Sequence, residues 1–177
     1  MKKLFLAAFA VFAFSNIQAQ GTSFGVTAGL SNLNVQASLG GDEDDESETG
    51  FHIGLLADLG ISEKFHVQPE LTFSNGGDVS FINLNVLAKF YVSDGLNLQA
   101  GPTIGTAGGD DIDAVEALLG DDFTKLNLGL AVGAGYDISE SFFAQARYGF
   151  QINDHFKGSG NGEIKINNFL VGVGYKF

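Results

Sequence analysis

Apolar and polar residues alternate one by one along most of this chain. In FHIGLLADL (residues 51–59) the alternate places are held by Phe51, Ile53, Leu55, Ala57 and Leu59, and in FHVQPELTF (residues 65–73) by Phe65, Val67, Pro69, Leu71 and Phe73. The same beat runs through Ile82, Leu84, Val86, Ala88 and Phe90, through Leu126, Leu128, Leu130 and Val132, and through Phe169, Val171, Val173, Tyr175 and Phe177. Neighbouring side chains of a strand point to opposite faces, so a period of two reads as strand. The pattern predicts eight strands, over residues 23–31, 50–60, 64–74, 81–92, 96–105, 125–137, 142–151 and 164–177. Their lengths sit near the ~9–11 residues that a tilted strand needs to cross a bilayer.

The connections alternate as well. Residues 61–63, 93–95 and 138–141 read as tight turns, whereas the first, third, fifth and seventh strands are followed by longer stretches rich in Gly or Asp. Long loops on one rim, short turns on the other and an even strand number are the pattern of an outer-membrane barrel. The predicted fold is all-β: an eight-stranded antiparallel up-and-down transmembrane β-barrel. One long connection has a different period. Ile112, Val115, Leu118 and Leu119 recur at helical spacing, with Asp110 or Asp111 as N-cap and Gly120 as C-cap, which predicts a short amphipathic helix on the rim, its apolar side on neighbouring loops. Ile164 and Ile166 fall out of phase with the face they should share, which predicts bulges there.

Alternation alone leaves open which face is outside, since a soluble lipocalin-like barrel has the same period with its apolar face inward. The polar face decides it. That face carries His52, Asp58, His66, Gln68, Glu70, Thr72, Asn83, Asn85, Lys89, Asn97, Gln99, Asn127, Gln145 and Arg147, separated by glycines. A water-washed exterior would be rich in Lys and Glu; amides and glycines suit a narrow lumen. Tracing the strands up and down puts Phe24, Phe65, Phe90, Tyr136, Phe142, Tyr175 and Phe177 at the short-turn rim and Phe51, Phe73 and Phe150 at the other. Two aromatic girdles are what the two membrane interfaces favour.

Composition narrows the partners and the compartment. The chain has 177 residues, 21 acidic against 9 basic, a formal charge of −12 and no cysteine. A nucleic-acid backbone is excluded as partner by that balance, and an exported chain without Cys must hold its shape without disulfides. Export is expected from residues 1–19. Lys2 and Lys3 form a basic start, residues 4–14 an apolar run too short to span a bilayer, and Ile17-Gln18-Ala19 a small-residue cleavage site, which together form a signal peptide pattern. Residues 20–177 are then the barrel domain.

Chemistry is sparse. Glu70, Lys89 and Arg147 face the lumen nearest mid-depth, with Asp58, His52 and His66 toward the ends. An eight-stranded interior is just wide enough for side chains to fill, so opposite charges should pair across it as a structural plug formed by Glu70, Lys89, Arg147, Asp58 and His66; the competing reading is a gated ion path. The block GDEDDESETG (residues 41–50) should be an extended, solvated loop, and residues 106–123 form a second acidic loop. Neither has the spacing of a high-affinity calcium loop, so weak Ca²⁺ or Mg²⁺ bridging to lipopolysaccharide phosphates is the metal expectation. No Ser/His pair falls on the lipid face, His155 lies in the fourth long loop, and no cofactor motif is present; the expectation is a protein that is not an enzyme and has no cofactor.

The stretches GFHIGLLADLGISEKFHVQPELTFSNGG (residues 50–77), LNVLAKFYVSDGLNLQAGPTIG (residues 84–105), ARYGF (residues 146–150) and VGVGYKF (residues 171–177) together resemble the PorT-like family of outer-membrane β-barrel proteins, common in Gram-negative bacteria of the Bacteroidetes type. The resemblance covers nearly the whole barrel domain. It implies insertion by the barrel assembly machinery, which reads a terminal strand ending in an aromatic residue, here Phe177. The combined expectation is a monomer in the Gram-negative outer membrane, in contact with its lipid and lipopolysaccharide. Its expected role is a non-catalytic scaffold or surface interaction protein, the alternatives being a narrow ion or small-solute channel, or a secreted lipocalin-like binding barrel.

Overall fold

A computed structural model describes residues 21–39, 42–156 and 162–177; residues 1–19, read as the signal peptide, lie outside the described residues. The strands are β1 (Thr22–Leu39), β2 (Asp42–Gly60), β3 (Phe65–Gly76), β4 (Val79–Tyr91), β5 (Leu96–Gly108), β6 (Leu126–Asp137), β7 (Phe142–Gln151) and β8 (Gly162–Lys176), with helix α1 (Asp110–Leu119) and a 3₁₀ turn (Gly120–Asp122) between β5 and β6. Each strand pairs antiparallel with the next, and β8 pairs with β1 to close the barrel. Closure gives every strand a backbone partner on both sides, which hydrocarbon cannot supply.

The short-turn rim is built from one repeated pentapeptide pattern. Ile61-Ser62-Glu63-Lys64-Phe65, Val92-Ser93-Asp94-Gly95-Leu96 and Ile138-Ser139-Glu140-Ser141-Phe142 each close by a bond from the first residue's N–H to the last residue's carbonyl, at 2.9, 2.9 and 2.8 Å. In two of them the serine hydroxyl also accepts from the last residue's N–H, Ser62 from Phe65 at 3.1 Å and Ser139 from Phe142 at 3.0 Å. A small side chain that bonds back to the main chain is what a tight turn selects.

On the other rim the structure corrects three expectations. The acidic block is not a free loop: residues 42–49 continue β2 and pair one for one with β1 as far as Leu39↔Asp42. The β3–β4 connection is a two-residue turn, Gly77-Asp78, with Gly77 at φ 56°. Third, the bulges predicted near Ile164 and Ile166 are not there, since β8 runs in uninterrupted register against β1 from Gly25↔Lys176 to Leu39↔Gly162.

The reason for that last error is a reversal of polarity at one level of the wall. Across the bilayer the outward places hold Leu30 on β1, Ile82 on β4 and Phe169 on β8, all exposed, while the inward places hold Ser31, Asn83 and buried Leu170. One step further up, the outward places become Asn32, Ser80 and Asn167, and the inward ones Leu33, Phe81 and Ile166. Asn32 Nδ2 donates to Ser47 Oγ at 2.9 Å and to Thr49 Oγ1 at 3.1 Å on the neighbouring strand, as a water-washed sheet would. Ile164 and Ile166 therefore keep their phase; what changes is the solvent on the other side.

The aromatic girdles assemble as expected. Phe65 and Phe90 are cross-strand partners, Phe142 and Tyr175 meet edge-on at 5.0 Å, and at the upper rim Phe51 and Phe73 lie 6.0 Å apart. Inside, two glycines make room for a ring: Gly29 and Gly172 face each other across β1 and β8, and a Cβ on either would come within 2.8 Å of His52 Cε1.

An arginine placed at Val86, half-way along the lipid-facing side of β4, should cost about 2–4 kcal/mol, while Asn32→Arg, above the reversal, should cost about 0–1 kcal/mol. Urea titrations of the barrel folded in lipid vesicles measure the difference.

Candidate functional site

Among the described residues buried charge collects in the lumen, and it does so in two layers. In the upper layer Glu70 of β3 and Arg147 of β7 meet across the barrel in a two-pronged pair, Nη1 to Oε2 at 2.7 Å and Nη2 to Oε1 at 2.6 Å. Strand parity turns both inward, and they are 1% and 3% exposed. Gln68 Nε2 donates to Glu70 Oε2 at 2.9 Å and Thr72 Oγ1 to Oε1 at 3.2 Å, so the carboxylate is satisfied from three sides. Bidentate geometry with both groups out of water is the strong form of an ion pair.

The lower layer is centred on Asp58 of β2. Lys89 Nζ of β4 sits 2.9 Å from its Oδ2 and His66 Nδ1 of β3 2.7 Å from its Oδ1. The predicted residues thus come together as two groups, Glu70 with Arg147 and Asp58 with Lys89 and His66. Four members were missed: Lys176, Asp137, Tyr91 and Phe143. Lys176 of β8 lies 3.2 Å from Asp137 Oδ2 and 3.8 Å from Asp58 Oδ2, and Tyr91 Oη donates to Asp137 Oδ2 at 2.8 Å. The Phe143 ring lies between the two lysines, 5.9 Å from Lys89 Nζ and 5.7 Å from Lys176 Nζ, and Gly174 leaves the space that ring occupies. Lys176 was legible, since it has the parity of Gly172 and Gly174. Phe143 was not, because an inward aromatic beside an outward one breaks the alternation. His52, also placed inward by the sequence, stands apart from both layers, with its Nδ1 3.1 Å from the Leu30 carbonyl.

Above the ion pairs an apolar lid closes the lumen. Leu33, Val79, Phe81, Ala107, Ile112, Phe123 and Ile166 form one buried cluster, with Val35, Val115 and Leu119 packed on it. Helix α1 forms as predicted, but its apolar residues Ile112, Val115 and Leu119 rest mainly on inward side chains of the strands and not on neighbouring loops, and Leu118 points away and is 85% exposed. Its N-cap is Gly109, at φ 111°, not Asp110 or Asp111; those two and Asp113 fill the first turn, where negative charge complements the helix dipole. Lys125 anchors the helix through Asp113 at 2.8 Å and Glu116 at 2.7 Å.

His155 fastens the lid from the side. It is fully buried, stacked on Phe123 with centroids 5.6 Å apart, and its Nδ1 faces the Thr124 carbonyl. Its backbone joins two elements, Thr124 N–H donating to the His155 carbonyl at 2.8 Å and His155 N–H to the Ile164 carbonyl at 3.0 Å. Burial pushes the imidazole's pKa below its ordinary value; the Thr124 carbonyl and Asp154 oppose that only in part. Among the described residues no three His, Asp or Glu side chains converge on a point that could hold a metal ion.

A family profile described as "Outer membrane protein beta-barrel domain" matches residues 4–177. No curated protein sequence matches. Among solved structures, the attachment invasion locus protein Ail of Yersinia pestis is similar at 17% identity and a TM-score of 0.52, covering 89% of this chain and 100% of its own. Neisserial surface protein A is similar at 20% identity and 0.53, covering 89% and 100%. A designed transmembrane β-barrel is similar at 13% identity and 0.50, covering 90% and 98%. At these identities the likeness is one of fold.

Removing one partner of the upper pair strands the other charge, so Arg147→Leu or Glu70→Leu should destabilise by about 3–5 kcal/mol, and the double substitution should recover most of that loss. The fraction migrating as folded barrel on unheated gels across a urea series reads it. For His155 the folded pKa is depressed, so the lid's stability is full above the unfolded imidazole value of about 6.5 and declines as pH falls below it. The protection factor of the Thr124 amide, its exchange rate corrected for the intrinsic pH dependence, should fall over that range, and His155→Phe should abolish the decline.

Proposed function

The chain belongs to the outer membrane protein beta-barrel family, and from that premise we propose that it works as a closed, non-catalytic barrel that holds an acidic structure above the outer membrane for interaction at the cell surface. It is a small outer-membrane barrel, and its aromatic girdles and apolar band are built for that bilayer. The observation that carries the reading is the closure of the lumen three times over: the Asp58 layer, the Glu70–Arg147 pair and the apolar lid. A barrel so sealed has little use as a conduit. What stands outside is the β1–β2 hairpin, which rises beyond the upper girdle and exposes Asp45, Glu46 and Glu48, together with α1, which packs against β4 and β5.

Absence of catalysis is supported by the surroundings of His52. Ser74 is its cross-strand partner, yet Nδ1 of His52 is taken by the Leu30 carbonyl and no carboxylate orients the ring, so the arrangement that activates a serine nucleophile is incomplete. The finer identity as a PorT-like barrel belongs to the same reading, as do export by residues 1–19, insertion through recognition of Phe177 by the assembly machinery, and action as a monomer. In the outer leaflet the acidic hairpin would meet lipopolysaccharide phosphates through weakly held divalent cations.

Purified barrel reconstituted in planar bilayers should be electrically silent, whereas Arg147→Ala and Lys89→Ala combined with Phe81→Ala, which opens the lid as well, should give current steps. Stepwise currents from the unsubstituted protein would overturn the closed-barrel reading in favour of a narrow channel.

A further inference from the structure

Between the Glu70–Arg147 pair and the apolar lid the lumen is incompletely filled. A cavity of about 30 Å³ lies there, with Arg147 and Asn85 among its walls below and Phe81 and Ile166, both members of the lid, above. Three buried polar atoms of its lining have no protein partner: Arg147 Nε, Gln151 Nε2 and Asn127 Oδ1. The residues that carry them are 3%, 8% and 9% exposed. Buried donors and acceptors are rarely left unpaired. Two donors and one acceptor, around a centre made neutral by the pairing of Arg147 with Glu70, select a neutral molecule that both gives and accepts hydrogen bonds. The space exceeds the ~10–15 Å³ that one water needs.

The wall beside this cavity differs from the rest of the barrel. The β7–β8 ladder runs from Phe142↔Tyr175 to Gly149↔Asn168 and stops, although β8 continues to Gly162 against β1. Beyond that point side chains carry most of the pairing, although His155 N–H still reaches the Ile164 carbonyl at 3.0 Å. Gln151 N–H donates to Asn167 Oδ1 at 3.1 Å, Ile166 N–H to Gln151 Oε1 at 2.6 Å, and Ile164 N–H to Asp154 Oδ1 at 2.9 Å. Gly149 and Phe150, at the end of the ladder, line the cavity, and Phe150 is also exposed on the lipid side. Gly149 has no side chain to thicken the wall; a Cβ there would stand 3.3 Å from Asn168 Oδ1.

We propose that this cavity is a binding site for internal water, one or two molecules bonded to Arg147, Gln151 and Asn127, and that the water exchanges sideways through the β7–β8 seam. The axial routes are shut by the lid on one side and by two layers of ion pairs on the other. A ladder of side-chain latches can open locally at less expense than a backbone ladder, because each latch turns about its own rotatable bonds.

Arg147 is the only arginine of the chain, so ¹⁵N-arginine labelling of the whole protein in lipid nanodiscs yields a single Nε–H resonance from the folded barrel. That resonance should show a through-space contact to water, and Asn127→Leu, which fills the site, should lose it. Gly149→Ala, which thickens the seam, should lengthen the residence time of the water, and Asn167→Ala, which removes a latch, should shorten it. Absence of the contact in the unsubstituted protein overturns the site. A contact whose residence time ignores both seam substitutions overturns the lateral route, and where Gly149→Ala does not fold, Asn167→Ala alone decides.

Discussion

Hydrocarbon offers no hydrogen bonds, and that single fact organises the molecule. Any peptide group placed in the bilayer must find its partner in the chain itself, so the sheet has to close. Closure by β8 on β1 in one unbroken register meets that demand, and it also dictates where side chains go. Once the ring is complete, every strand has one face in lipid and one in a narrow interior. The alternation of the sequence is the imprint of those two surroundings, and the glycines mark the places where the interior would otherwise be overfilled.

A narrow interior cannot stay wet throughout, so the charges within it must neutralise one another at short range. Glu70 with Arg147, and Asp58 with Lys89, His66 and the nearby Lys176, do so. The Glu70–Arg147 pair joins strands 77 residues apart in sequence. The pairs also make register costly to lose, since a slip by one residue would turn Arg147 and Lys89 toward lipid. The polar plug and the sealed wall are therefore two aspects of one arrangement: the plug fixes the register and the register positions the plug.

Much of this was legible in the residues because parity is a strict code wherever the two faces meet different solvents. Strand number, the lipid face, the girdles and the inward set from His52 to Arg147 all follow from it. The code becomes ambiguous at the rims. Residues 42–49 read as a solvated loop because six acids repel one another, yet backbone pairing with β1 continues regardless of what the side chains prefer. Ile164 and Ile166 read as a slip because a period-two reading assumes that each face keeps one solvent along its length. Lys176 and Asp137 lie where strands end, and a site assembled from strand ends depends on how turns align them. Leu118 shows the same limit in a helix: spacing places it beside Val115 and Leu119, but only the contour of the lid decides that it is left in water.

The reversal of polarity near Leu30, Ile82 and Phe169 has a mechanical corollary. A uniformly greasy cylinder could ride higher or lower, or tilt, at little expense. Here sinking by one residue pair would drag Asn32, Ser80 and Asn167 into oil, and rising by one would leave Leu30, Ile82 and Phe169 in water. The sequence thus carries its own waterline, and a bilayer thicker or thinner than the span between the girdles would have to deform to match it.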